Sequence, residues 1–216
     1  MRICRSAVLV VLASCLAAPL AAQEPSEQPI TRYVADLRLA LPKVPANDAL
    51  AQPYGLGGNN LPGLGLGVDV GAHIYPLRWK SVTFGLGVSG VIGRAHAGPT
   101  TQSDGTVLGK DVNARFSALA PQLSFNFGSA AGWSYLSGGL GWARLELRTP
   151  DAPAGTVWPR SKTINYGGGG RWFVRDRMAA TFDIRFYGIN PVAAAPNTFQ
   201  APRLRMLVIS MGISLR

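Results

Sequence analysis

Cysteine is nearly absent from this sequence. The 216 residues contain two cysteines, Cys4 and Cys15, and the chain from residue 23 onward has none. That part of the chain therefore has no disulfide to stabilise it and no thiol for catalysis or metal binding. Histidine is equally scarce, since only His73 and His96 occur. The sequence predicts no metal site, no cofactor and no catalytic residue.

The first 22 residues have the layout of a secretory signal peptide. Two arginines precede an uncharged run from Ser6 to Gln23 that ends in small residues, which predicts cleavage after Ala22. A retained membrane anchor is one alternative, and Pro19 disfavours it. Lipidation of Cys15 is the other, although apolar sequence continues past that residue. We expect residues 23–216 to form one exported domain of ordinary size.

Charge, and acid in particular, is also in short supply. Only 15% of residues are charged, and 21 Lys and Arg outnumber 11 Asp and Glu. An exported basic protein is expected to meet anionic surfaces such as lipid headgroups or lipopolysaccharide, and its location disfavours nucleic acid as a partner. With 26 glycines and so little charge, part of its surface is expected to face something other than water.

Long apolar runs are missing after the leader, so no transmembrane helix is predicted. The sequence instead alternates with period two. Between Leu64 and Tyr75 every second residue is apolar, and the residues between them are mostly glycine or polar. The charge-free run from Phe116 to Ala143 is interrupted by small and polar residues, which favours two strands around a turn near Gly128–Gly132.

Eight segments of this kind occur, and they predict eight antiparallel strands. They are residues 33–41, 64–75, 82–93, 115–127, 133–148, 164–174, 180–187 and 207–215. The alternation slips near Ala118, beside Pro121, and again near Trp142. A β-bulge at each place would restore the two faces.

The composition of the two faces predicts which one points inward. Glycine, serine and opposed charges cannot build a dry core, so the apolar face is expected to face lipid and the polar face a lumen. An eight-stranded barrel is just wide enough for side chains to fill. Charges inside it must pair, because an unpaired buried charge is costly. The predicted lumen charge network comprises Asp36, Arg38, Asp69, Arg144, Glu146, Arg171, Asp183 and Arg185.

Short and long connections alternate along the chain. The turns at 76–80, 128–132 and 175–177 are short, whereas the connections at 42–63, 95–111, 149–161 and 190–202 are long. Outer-membrane barrels alternate periplasmic turns and extracellular loops in this way. An aromatic girdle is expected near the short turns, formed by Tyr75, Trp79, Phe127, Trp133 and Trp172.

Three arginines at the long-loop level are candidates for lipopolysaccharide binding. Arg203 and Arg205 lie near the extracellular start of the last predicted strand, on the parity of lipid-facing residues, and Arg115 lies at a comparable level. Guanidinium groups suit phosphate. The alternative is an ordinary solvated rim.

The stretch from Tyr166 to Ile189 combines a Gly-rich strand, an Arg-Asp-Arg turn and an aromatic-rich strand. In this sequence pattern the chain resembles the small bacterial outer-membrane β-barrel superfamily of the OmpA-transmembrane and OmpX type. The resemblance implies an all-β, eight-stranded antiparallel up-and-down transmembrane barrel, monomeric, in a Gram-negative outer membrane and inserted by the barrel-assembly machinery. Relatives commonly end in an aromatic residue, whereas this chain ends in Leu215 and Arg216.

We therefore expect a structural or surface-interaction protein with a plugged polar lumen, whose four extracellular loops contact an unidentified ligand. The alternatives are an outer-membrane enzyme that modifies lipid A and a soluble periplasmic barrel of lipocalin type. A G-x-G-x-x-G pattern at Gly85–Gly90 resembles a dinucleotide fingerprint, but no helix is predicted after it to bind a phosphate. It is interpreted as part of a strand.

Overall fold

In the computed structural model, which describes residues 28–101, 103–105, 107–153 and 155–216, eight antiparallel strands close into a barrel. Each strand pairs with its neighbours in sequence, and the first also pairs with the last. The prediction of an eight-stranded up-and-down barrel is confirmed. The predicted signal peptide, with Cys15, lies outside the described residues. The barrel strands are β1 (Tyr33–Lys43), β2 (Leu66–Trp79), β3 (Val82–Ala97), β4 (Val112–Ser129), β5 (Gly132–Arg148), β6 (Ser161–Arg175), β7 (Met178–Ile189) and β8 (Leu204–Leu215).

The period-two pattern sets which face of each strand points outward. In β1, Leu37 is 54% exposed while the neighbouring Asp36 and Arg38 are buried. In β3, Leu86 and Val88 point outward, and Gly85 and Gly87 point inward. The apolar face is therefore the outer one, as predicted. The apparent dinucleotide fingerprint is part of a strand, because successive residues of a strand alternate between its faces.

The two predicted bulges are absent, which corrects the sequence interpretation. β4 and β5 keep one register on both sides of Pro121, with Leu119 opposite Trp142 and Leu123 opposite Gly138. The apolar residues near Ala118 and beyond Trp142 therefore really do point inward. Along these strands the interior changes from polar to apolar, while the backbone pairing continues in one register.

All three short turns lie at one end of the barrel and all four long loops at the other, as predicted. The first turn is tighter than expected, because β2 continues to Trp79 through an irregularity between Ile74 and Leu77. Lys80 forms that turn with a positive φ of 53°. Of the predicted girdle, Trp79, Phe127 and Trp172 are exposed, but Tyr75 and Trp133 point inward at 8% and 3% exposure.

The first long loop carries the one α-helix of the described chain, α1 (Asp48–Ala51), followed by 3-10 turns at Gln52–Tyr54 and Gly58–Asn60. The Asn47 side chain caps α1 by accepting a hydrogen bond from the backbone N–H of Leu50 at 2.9 Å. The second long loop contains a small ribbon that pairs Thr100–Thr101 with Val107–Leu108. No helix in the described part of the chain is long and apolar enough to cross a membrane.

The barrel interior has three zones. Leu50 of α1 packs with inward residues such as Phe116 and Leu147 in an apolar cluster at the long-loop end. A smaller cluster with Val34 and Trp133 lies at the short-turn end. Polar and charged side chains occupy the zone between them. The expectation of a polar inward face throughout was wrong at both ends, where the interior is apolar.

Candidate functional sites in the lumen and at the outer rim

Asp36 lies at the centre of the first group of lumen contacts. Its carboxylate accepts two hydrogen bonds from Arg171, from Nε at 3.0 Å and Nη2 at 2.6 Å. The hydroxyl of Ser214 donates a third at 2.5 Å, and Arg38 Nη1 lies 3.6 Å away. The side chains of Asp36, Arg38 and Arg171 are at most 1% exposed. Because β1 and β6 are not neighbours, the Asp36–Arg171 pair spans the lumen.

Tyr135 joins this group to Asp183. Arg38 donates to Asp69 at 3.1 Å and to the Tyr135 hydroxyl at 3.1 Å. That hydroxyl donates to Asp183 at 2.8 Å, so it connects a cation to an anion. The guanidinium of Arg171 lies over the Tyr135 ring, 4.3 Å from its centroid, where the negative face of the ring attracts a cation.

Arg185 completes the network on the other side of the lumen. It donates to both carboxylate oxygens of Asp183 at 3.2 and 3.0 Å and to the Ser137 hydroxyl at 2.7 Å. It also donates to the side-chain oxygens of Gln122 and Asn165 at 2.9 and 3.0 Å. The network thus balances three arginines with three aspartates. With Ser89, which accepts a hydrogen bond from Gln122, it includes side chains from every barrel strand.

Two of the eight residues predicted for this network lie elsewhere. Arg144 and Glu146 are on the outward parity of β5, near the long loops. Glu146 forms salt bridges with Arg144 at 3.6 Å and with Arg148 at 3.0 Å. Their placement follows from the unbroken register of β5. Sequence reasoning missed the uncharged members of the network, such as Tyr135 and Gln122, although both have the inward parity of their strands.

The three rim arginines do not form one group. Arg115 on β4 lies opposite Arg94 of β3 and Glu146 of β5. Arg203 and Arg205 lie just before and within β8, which is diametrically opposite β4 in the strand order. All four of these arginines are exposed. The structure therefore has two separate basic sites at the long-loop end.

The two histidines lie in different parts of the barrel. His73 is in the lumen, with Nδ1 3.7 Å from Asp36. The predicted connection at residues 95–111 placed His96 in the second long loop, but His96 lies on β3. Its Nδ1 is 3.5 Å from Asp111 and 3.3 Å from Asn113. The described residues contain no group of three metal-ligating side chains.

Aromatic side chains connect three of the long loops. The Trp158 indole N–H donates to the Tyr54 hydroxyl at 3.3 Å, and the Tyr54 and Phe199 rings lie 4.7 Å apart. Arg148 lies over Trp158, 5.1 Å from the ring centroid. Burial raises the pKa of Tyr54, and the hydrogen bond from Trp158 partly opposes that rise. The first, third and fourth long loops therefore pack together over the barrel mouth.

No family model matches the sequence, and no curated protein does either. Among solved structures, the barrel is similar to Neisserial surface protein A, with a TM-score of 0.52 and 14% identity over 85% of this chain and 95% of that one. Ail, the attachment invasion locus protein of Yersinia pestis, has a TM-score of 0.49 and 10% identity over 86% and 98%. The outer membrane protease OmpT from Escherichia coli has a TM-score of 0.42 and 9% identity over 85% and 96%. The predicted resemblance to small bacterial outer-membrane β-barrels is confirmed at the level of the fold.

Proposed function

We propose that this protein is an outer-membrane barrel of a Gram-negative bacterium with a structural or surface-interaction role. The observation that carries the proposal is the apolar belt around the barrel. Large apolar side chains that are 38% to 69% exposed occur on every barrel strand. Such a surface is unfavourable in water and favourable in lipid. It also counts against a soluble lipocalin-type barrel, whose apolar faces point inward.

We infer that the lumen does not conduct ions freely. Three arginines and three aspartates fill its middle with paired charges. The apolar clusters at both ends would add a barrier to hydrated ions. In this proposal the ion pairs stabilise the barrel and the four long loops carry any recognition function.

The proposed orientation places the long loops outside the cell and the short turns in the periplasm. Exposed Tyr33, Trp79 and Trp172 near the short turns support it, since aromatic side chains favour the interface of a membrane. In this orientation Arg115, Arg203 and Arg205 reach the outer leaflet, where they would contact lipopolysaccharide phosphates. Insertion would depend on the barrel-assembly machinery, and the barrel would act as a monomer. The extracellular ligand is unidentified.

An enzyme acting on lipid A is the second candidate function, and one contact favours it. His96 and Asp111 lie 3.5 Å apart at the long-loop end, the level at which such an enzyme would act. A His–Asp pair can serve as a general base when a nucleophile is adjacent. Under the main proposal, the mass profile of lipid A should be the same in cells that express the wild-type protein and in cells that lack it. A modified species that disappears with His96→Ala would support the enzyme.

Fractionation tests the main proposal. The protein should remain in carbonate-washed outer membranes, and its mobility on a gel should shift on boiling as the barrel unfolds. Recovery in the soluble periplasm, or a mobility that heating does not change, would contradict the proposal. Ion flux through planar bilayers that contain the purified barrel tests the closed lumen separately.

A further inference from the structure

We propose that the wall formed by β4, β5 and β6 binds a lipid A molecule, with a phosphate at its basic rim and one acyl chain in a groove below. The inference rests on the proposed outer-membrane location and assigns the lipopolysaccharide contact to one wall. It depends on two features that share the same strands, namely a group of cations and an apolar groove that continues from it.

The phosphate end is the rim of this wall. Its cations are the exposed or half-exposed Arg115, Arg144, Arg148, Arg160 and Lys162, and Arg94 of the neighbouring β3 lies beside Arg115. Among the described outward side chains on this part of the wall, Glu146 is the acid, and it pairs with Arg144 and Arg148. Asp111 lies further into the second long loop, against His96. The rim therefore has an excess of positive charge that an anion can neutralise.

Arg144 has unused binding capacity. Its Nη1 is 3.6 Å from Glu146, whereas its buried Nε–H has no hydrogen-bond partner in the described part of the chain. Arg144 and Arg160 line one depression together with Leu119 and Trp142. Since arginine binds phosphate oxygens through two parallel N–H groups, this depression suits a phosphate above an apolar surface.

The acyl end is a groove directly below that depression. Gly138 on β5 forms its floor, with Leu123 of β4 opposite it on one side and Tyr166 of β6 on the other. Pro121 and Leu140 line its upper part. Because glycine has no side chain, this part of the wall is recessed between neighbours that project into the lipid.

The dimensions suit one acyl chain. Gly138 lies six residues from Arg144, which is about 20 Å along a strand and about 15 Å in depth at a tilt of about 40°. That depth is about half of a hydrocarbon core of ~30 Å, or one leaflet. A chain anchored at Arg144 would therefore run past Trp142 and end near the floor of the groove.

The opposite wall provides a natural control. Arg203 and Arg205 also lie at the long-loop end, but the outward face of β8 below them carries Leu207, Ile209 and Met211. No glycine interrupts that face between Arg205 and Leu215. It has cations without an outward glycine below them on the same strand, so it should attract anionic headgroups less selectively.

Four variants test the proposal in the purified full-length barrel, each first checked for folding by its heat-shifted mobility. The rim variant is Arg115→Gln with Arg144→Gln, and its control is Arg203→Gln with Arg205→Gln. The groove variant is Gly138→Leu, where an added Cβ would lie 3.4 Å from its nearest neighbour. Its control is Ala72→Leu, at an outward, exposed position of β2 whose cross-strand partners Ala35 and Val88 belong neither to the rim nor to the groove.

Native mass spectrometry with purified lipid A should show the rim and groove variants each binding about tenfold more weakly than wild type. Each control should stay within about twofold of wild type, by the same reasoning. Dephosphorylated lipid A should bind wild type as weakly as phosphorylated lipid A binds the rim variant. Inorganic phosphate should not compete at the same concentrations.

Three results would overturn the proposal. Equal losses in the variants and their controls would show unspecific attraction, equal binding of phosphatidylglycerol would exclude selectivity for lipid A, and strong competition by inorganic phosphate would show an anion site without an acyl component. If these occur in a protein that fractionates with the outer membrane, the site is refuted and the proposed function stands. Recovery in the soluble periplasm would instead refute the proposed function.

Discussion

Asp36→Asn removes one charge from the centre of the lumen and hardly changes the volume of the side chain. Three donated hydrogen bonds reach Asp36, two from Arg171 and one from Ser214. After the substitution the guanidinium of Arg171, which is 1% exposed, has lost its closest anion and cannot reach water without rearrangement. Breaking a buried ion pair in this way costs about 3–5 kcal/mol. We expect the free energy of unfolding to fall by that amount.

The assay is unfolding by urea of the barrel refolded into lipid vesicles, followed by tryptophan fluorescence and by heat-shifted mobility. Arg171→Gln and the double variant with Asp36→Asn complete a cycle, and the double variant should lose clearly less than the sum of the two single losses. Asp151→Asn is the control, because its 2.6 Å salt bridge with Lys110 is solvent-exposed and such pairs contribute about 1 kcal/mol or less.

Two results would refute the reasoning. A loss below about 1 kcal/mol for Asp36→Asn would show that the charge of Arg171 is satisfied without Asp36. Additive single losses would show that the two side chains act independently, despite distances of 2.6 and 3.0 Å.

Three further predictions concern other parts of the barrel. Gly139→Ala should abolish the heat-shifted form, because its Cβ would lie 1.9 Å from a backbone carbonyl oxygen of β4, whereas the outward Gly138→Ala should fold normally. Leu50→Ala should cost about 2–3 kcal/mol and make the first loop easier to cleave with protease, and unchanged cleavage would contradict a packed α1. The pKa of Tyr54 is raised in the folded loop. The contribution of Tyr54 to the stability of the loop is therefore complete below the ordinary tyrosine pKa of 10.0, and it is lost as the pH rises through the raised pKa. Trp158 fluorescence should report that loss, and Tyr54→Phe should abolish it.

The strands and their faces could be predicted because both are local properties of the sequence. Alternation with period two identifies a strand and its two sides, and loop lengths give the antiparallel order. The switch from a polar to an apolar interior was not predictable in the same way. Near Ala118 and Trp142, a change in the position of apolar residues is equally compatible with a bulge and with a change in what the interior contains. Only the register between strands distinguishes them, and Arg144 and Glu146 were misplaced for that reason.

The inward position of several lumen residues was predictable, but their contacts were not. Inward parity identified Asp36, Arg171 and Asp183 without showing which arginine meets which aspartate. Arg171 crosses the lumen from β6 to β1, and such a contact depends on the tilt and closure of the whole barrel. Tyr135 was overlooked because the predicted network contained charged side chains only. Its hydroxyl accepts from Arg38 and donates to Asp183.

The network includes side chains from all eight strands. This explains how the barrel keeps one register although its apolar belt does not distinguish one register from another. In the proposed membrane location, the outward side chains gain little by choosing one neighbour over another. A shift of one residue in any strand would exchange its two faces. For β1 it would turn Asp36 and Arg38 toward lipid and leave Arg171 unpaired inside. Every strand contributes at least one polar side chain to the network, so each carries a penalty of this kind. The charges therefore determine the register, while the apolar belt favours lipid over water around the barrel.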